Sequence, residues 1–82
     1  MITATTPLQD LFDLAIRTLA DVEPGETFIV RDLFRGFEWN RIDKGNRTKL
    51  GSMFYAYAQS TGANCIEPIK KTPQNQQLYK KF

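Results

Sequence analysis

Thr27-Phe28-Ile29-Val30 constrains this chain more than any other stretch. Four strand-forming residues stand between two segments of helical patterning, and a strand that short is not stable without partners. The other β-rich runs, Cys65-Ile66-Glu67-Pro68-Ile69 and Gln77-Leu78-Tyr79-Lys80-Lys81-Phe82, lie far downstream. The early strand must therefore pair with a late hairpin, and the helical segments must pack on the sheet so formed. The 82 residues allow one such domain with a small core, for which six Phe, three Tyr and one Trp supply the bulk.

Upstream, Thr6-Pro7-Leu8-Gln9 has the pattern of a helix start, with Thr6 as N-cap, Pro7 in the first turn and Gln9 completing a capping box. Leu8, Leu11, Phe12, Ala15, Ile16 and Leu19 then recur at helical spacing as one apolar stripe. Asp10, Asp13, Arg17 and Thr18 take the other side, where Asp13 and Arg17 are spaced for an i,i+4 ion pair, while Leu14 lies off the stripe. Pro24-Gly25 marks a turn. Residues Arg31–Arg35 are expected as a short helix stopped by Gly36, and Phe37–Asn46 fit either loop or helix, with Trp39 buried. From Arg47 to about Gln59 a stronger helical pattern puts Leu50, Met53, Phe54, Tyr57 and Ala58 on one face. Pro68 cannot donate to a ladder, so the strand containing it is an edge strand or is interrupted there. The polar stretch 70–76 is the hairpin tip, Cys65 a small buried hydrophobe, and residues 1–5 a flexible terminus preceding a single domain over 6–82.

Composition excludes several classes of chemistry. There is no His, so there is no His-based triad, no Cys-His dyad and no Cys/His zinc site. The single Cys cannot form an internal disulfide, and no apolar run reaches the roughly 18 residues of a membrane span, which points to a cytoplasmic chain. Asp10 and Asp13 stand too close on one helix for paired acid–base work. Gly45-Asn46-Arg47-Thr48-Lys49-Leu50-Gly51-Ser52 lacks the Gly-Lys-Ser/Thr ending of a phosphate loop. The expectation is a non-enzymatic protein with no catalytic residues, no metal and no cofactor.

The element order helix, strand, helix, helix, strand, strand resembles the winged helix-turn-helix. The expected fold class is thus α+β: three helices, a short strand after the first, and a C-terminal β-hairpin wing. Phe28, Val30, Asp32, Leu33, Phe34, Trp39, Gly45, Arg47, Leu50, Gly51 and Phe54 give a narrower resemblance, to a family of small uncharacterised single-domain proteins of bacteria and phages. These are mostly core and turn residues, and they transfer a fold rather than a site.

The net charge of +2 conceals a division along the chain. Residues 1–38 hold seven acids and three bases, which is −4, and residues 39–82 hold eight bases and two acids, which is +6. In a winged helix, the segment from Arg47 to Gln59 is the recognition helix. The resemblance therefore implies a small regulator whose double-stranded DNA partner meets Arg41, Lys44, Arg47, Thr48, Lys49, Ser52, Tyr55 and Gln59 on or beside that helix, and Lys70, Lys71 and Lys80 on the wing. Taken alone, the Lys70-Lys71 and Lys80-Lys81 pairs are better explained as solvated guards of an exposed edge, and only together with the helix face do the two readings come level; Tyr55 is equally well explained as a packing residue. The alternative is a protein-binding module of phage or mobile-element type that inhibits a host protein through Asp10, Asp13, Asp21, Glu23 and Glu26. A homodimer formed through Leu14 and its neighbours is a further expectation.

Overall fold

The computed structural model describes every residue from Met1 to Phe82. Helix α1 (Leu8–Leu19) is followed by β1 (Thr27–Phe28), a 3₁₀ turn at Val30–Leu33, α2 (Gly36–Trp39), α3 (Lys44–Ala58), β2 (Ile66–Lys71) and β3 (Gln77–Lys81). The architecture is α+β, with three helices and one antiparallel sheet in the order β1-β3-β2. The early strand does pair with the late hairpin: Thr27 stands opposite Lys80 and Phe28 opposite Tyr79. Two further bonds lengthen this two-residue ladder, from Gly25 N–H to the Lys81 carbonyl (2.8 Å) and from Lys81 N–H to the Glu26 carbonyl (2.9 Å).

Three aromatic rings from three elements form the centre of the core. Phe28 of β1 stacks on Tyr79 of β3 at 5.8 Å, and Phe54 of α3 meets Tyr79 edge-on at 5.0 Å. Ala15 and Leu19 of α1, Leu33, Ala58 and Ile66 pack around them. Each such ring removes about 150–250 Å² from water, and each well-placed pair adds about 0.5–1.5 kcal/mol. A second cluster, Ile2, Leu11, Ile42 and Leu50, sits at the other end of α1, and Val30 and Phe34 pack against both clusters.

Several local expectations change. The segment 1–5, expected to be flexible, carries a core residue: Ile2 is buried, its N–H donates to the Glu38 carboxylate at 2.9 Å, and its carbonyl accepts from Arg41 at 2.8 Å. Thr6 does not cap α1; the helix starts one residue later, after Pro7, with no side-chain cap, and Thr6 Oγ1 accepts the Thr3 N–H instead. Gly36 opens α2 rather than ending a helix, because Val30–Leu33 winds as a 3₁₀ turn whose first N–H, from Ile29, is taken by Asp32 Oδ2. Helix α3 begins at Lys44, three residues earlier than the apolar pattern indicates, since Asp43 caps it by accepting the Asn46 N–H at 2.8 Å. Leu14 packs against the second cluster. Cys65 is exposed, because strand alternation gives the inward position to Ile66. No helix is long and apolar enough to cross a membrane.

Burial raises the phenol of Tyr79 from its ordinary 10.0 to about 12, with a smaller contribution from the charge of Tyr55. The unfolded chain releases this proton near its ordinary value and the folded chain later. The stabilisation is therefore complete below pH 10.0 and is lost as pH rises towards about 12. Denaturant titrations at neutral and strongly alkaline pH should show Tyr79→Phe losing on the order of 2 kcal/mol less than wild type over that window.

Candidate functional site

Between α3, the 3₁₀ turn and the hairpin lies an open groove of about 800 Å³. Helix α3 contributes Arg47, Thr48, Gly51, Ser52 and Tyr55, the turn contributes Ile29, Val30 and Arg31, and the hairpin contributes Lys71, Asn75, Gln76 and Gln77. Trp39 and Tyr79 close the inner end. Three cations, Arg31, Arg47 and Lys71, arrive from three different elements, and no acidic side chain lines the groove. No residue within Lys44–Ala58 is acidic either, so α3 presents a face of uniform sign.

The local backbone explains how these side chains are delivered. A bulge in β2 between Pro68 and Lys71 shifts the register by one residue, so that Lys71 stands opposite Gln77. Both residues then share the sheet face of Pro68 and Tyr79 and overhang the groove beyond the core. At the hairpin tip, Asn75 takes a left-handed φ of 63°, and its N–H and that of Gln76 bond to the carbonyl and hydroxyl of Thr72. Gly51 forms part of the floor from the middle of α3, where glycine costs about 1 kcal/mol relative to alanine. A Cβ added there would meet nothing within 4 Å, so the core does not require this glycine.

The basic and polar residues singled out from the sequence are dispersed to different tasks. Thr48, Ser52 and Tyr55 line the groove together, Tyr55 remaining 40% exposed and accepting the Gln59 amide on its hydroxyl at 3.0 Å. Lys44 falls on the same side of α3, one turn before Thr48. Arg47 reaches the groove but is bound to the fold: Nη2 donates to the Trp39 carbonyl at 3.1 Å, the guanidinium lies 5.4 Å over the indole, and Nε is buried without a partner. Arg41 lies outside the groove, bonded to the Ile2 carbonyl and 5.1 Å over the Phe37 ring. Lys49 projects about 120° around α3 from Tyr55. In the register Lys80 stands between Thr27 and Glu67, on the sheet face opposite to the buried Tyr79. Lys70 is exposed in the bulge and Lys71 alone of the wing lysines lines the groove. Lys81 is turned inward, its Nζ donating to the carbonyls of Leu19 (3.3 Å) and Val22 (2.9 Å) beyond the end of α1.

Charge patterning does not point to Arg31, which belongs to the acidic half; its position directly after the short strand is the available signal. The acidic residues are likewise divided. Asp21 joins Asp32 and Glu38 at a separate hollow that also holds Arg35, the ion-pair partner of Glu38 at 3.7 Å. Glu26 accepts the Glu23 N–H within the turn, and Asp13 accepts the Gln9 amide. No group of three or more His, Cys, Asp or Glu side chains is placed to hold a metal ion.

A small α+β domain of three helices and a three-stranded antiparallel sheet has a counterpart among solved structures. The chain is similar to a protein described as "SCCmec type IV LP1413 - nucleic acids binding protein", with a TM-score of 0.71 over 92% of this chain and 86% of that one, at 18% identity. At that identity the likeness is one of fold. Residues 13–81 match the model of DUF1413, a domain of unknown function, and the chain belongs to that family. Phe28 through Phe54, the residues behind the resemblance to small uncharacterised proteins, all fall within the matched span. No curated protein matches the chain.

The double role of Arg47 separates it from its neighbours in the groove. Arg47→Ala is expected to lower stability by about 1–3 kcal/mol through the lost hydrogen bond and indole packing. Arg31→Ala and Lys71→Ala, both at exposed positions, should change it by less than about 0.5 kcal/mol. Thermal unfolding of the three variants measures the difference.

Proposed function

We propose that this domain is a winged helix that binds nucleic acid without catalysing a reaction, with duplex DNA as its partner, α3 as the recognition helix and the β2–β3 hairpin as the wing. One observation carries this reading: Arg31, Arg47 and Lys71 converge from three elements on a groove without acids, beside a helix without acids. Phosphate contacts from such cations supply affinity and register, while side chains on the helix face read base edges. Thr48, Ser52 and Gln59 offer hydroxyl and amide groups for that purpose, and Tyr55 offers an exposed ring edge. The sheet order β1-β3-β2 accords with a winged helix, and the description of the structurally similar protein as a nucleic acids binding protein points the same way.

Gly51 supports the same reading. A mid-helix glycine with open space above its Cα is unfavourable for α3 alone, and it suits a ligand backbone that must approach closely.

The test is a titration of labelled duplex DNA across a range of salt concentrations. Wild type should bind more weakly as salt rises. Arg31→Ala/Lys71→Ala should bind more weakly at low salt, with the slope of log K against log salt shallower by about 2. Lys70→Ala/Lys80→Ala, outside the groove, should change the slope less. Absence of binding at low salt, or a slope unmoved by the groove variant, overturns the proposal.

A companion measurement uses Gly51→Leu, which should bind duplex more weakly while its melting temperature is equal to or above that of wild type.

A further inference from the structure

A second hollow, of about 700 Å³, runs along the outside of α1 where it meets α3, and it shares no residue with the basic groove. Phe12, Ile16, Met53 and Tyr57 line it, all of them only partly buried. Asp13 and Arg17 stand at its edge, both exposed. Their spacing predicts an ion pair within the helix, and that pair is not formed: the one ion pair in the protein is Arg35–Glu38. Asp13 takes the Gln9 amide, and Arg17 has no side-chain partner.

An apolar strip edged by one anion and one cation, four residues apart on a helix, is self-complementary under a twofold axis. When two copies of α1 lie antiparallel across an axis midway between the two positions, Asp13 faces the partner's Arg17, Arg17 faces the partner's Asp13, and the apolar strips meet beside them. A ligand of a single charge sign gains nothing from an edge that carries both signs; a second copy gains two pairs.

We propose that this face is the interface of a symmetric homodimer, built from α1 against α1 and closed by two reciprocal pairs between Asp13 and the partner's Arg17. The hollow is modest, so the dimer is concentration-dependent. The inference is independent of nucleic acid, because the two faces are separate.

Sedimentation equilibrium of the full chain up to millimolar concentration tests it. Wild type should show a monomer–dimer equilibrium. Asp13→Lys leaves both edge positions positive and Arg17→Glu leaves both negative, so each variant alone should be monomeric, with circular dichroism confirming that each is folded. An equimolar mixture of the two should dimerise again, since Lys at 13 then meets Glu at 17 and the native Arg17 meets the native Asp13. A wild-type chain monomeric throughout overturns the proposal. So does a dimer indifferent to either variant, or a mixture that stays monomeric.

Discussion

The contact of Phe28 and Phe54 with Tyr79 is the interaction on which the rest of this fold depends. Strand β1 has two residues and too few ladder bonds to hold itself in place, so Phe28 must be anchored by packing. Tyr79 supplies that anchor from β3, and Phe54 wedges α3 against both rings. The angle at which α3 meets the sheet, and with it the width of the groove, follows from these three rings. The groove is thus set from behind, by residues that do not reach it, with Tyr79 as the exception that touches both core and groove.

Charge proved a weaker guide than its segregation along the chain implied. Lys81 serves the carbonyls at the end of α1, Arg41 fastens the N-terminal segment, Arg47 fixes α2 to α3, and Lys80 stands opposite Glu67 on the outer face of the sheet. The half of the chain with net +6 therefore does not make one positive face. The positive groove takes Lys71 and Arg47 from that half and borrows Arg31 from the other. Long basic side chains have donors and apolar stems that serve structure as readily as recognition, and one-dimensional counting cannot tell the uses apart.

The apolar periodicities of α1 and α3, the turn at Gly25 and the need of a short strand for a distant hairpin were legible because each is a local pattern with one stable outcome. Ile2, Gly36 and the three residues added to the start of α3 were not. Ile2 packs among Leu11, Ile42 and Leu50 while its N–H is held by a carboxylate 36 positions away, partners that no window around residue 2 contains. Gly36 carries the usual meaning of a stop, and here it follows a 3₁₀ turn that had already ended the previous element. Helix α3 starts early through a polar cap, which the spacing of its apolar residues does not reveal. At the site, Thr48, Ser52 and Tyr55 were legible as one helix face. Arg31 was not, because its role depends on where the hairpin returns.

The sheet order carries a consequence for how the molecule is made. Strand β3 lies between β1 and β2 and follows both in the chain. During synthesis α1, β1 and α3 leave the ribosome with the aromatic centre still missing Tyr79, and nothing covers Phe28 or Phe54 from that side. The contacts that complete the domain span most of its length, the kind of topology that closes slowly and late. Until Tyr79 has emerged, the three-ring centre cannot close and β1 has no strand to pair with.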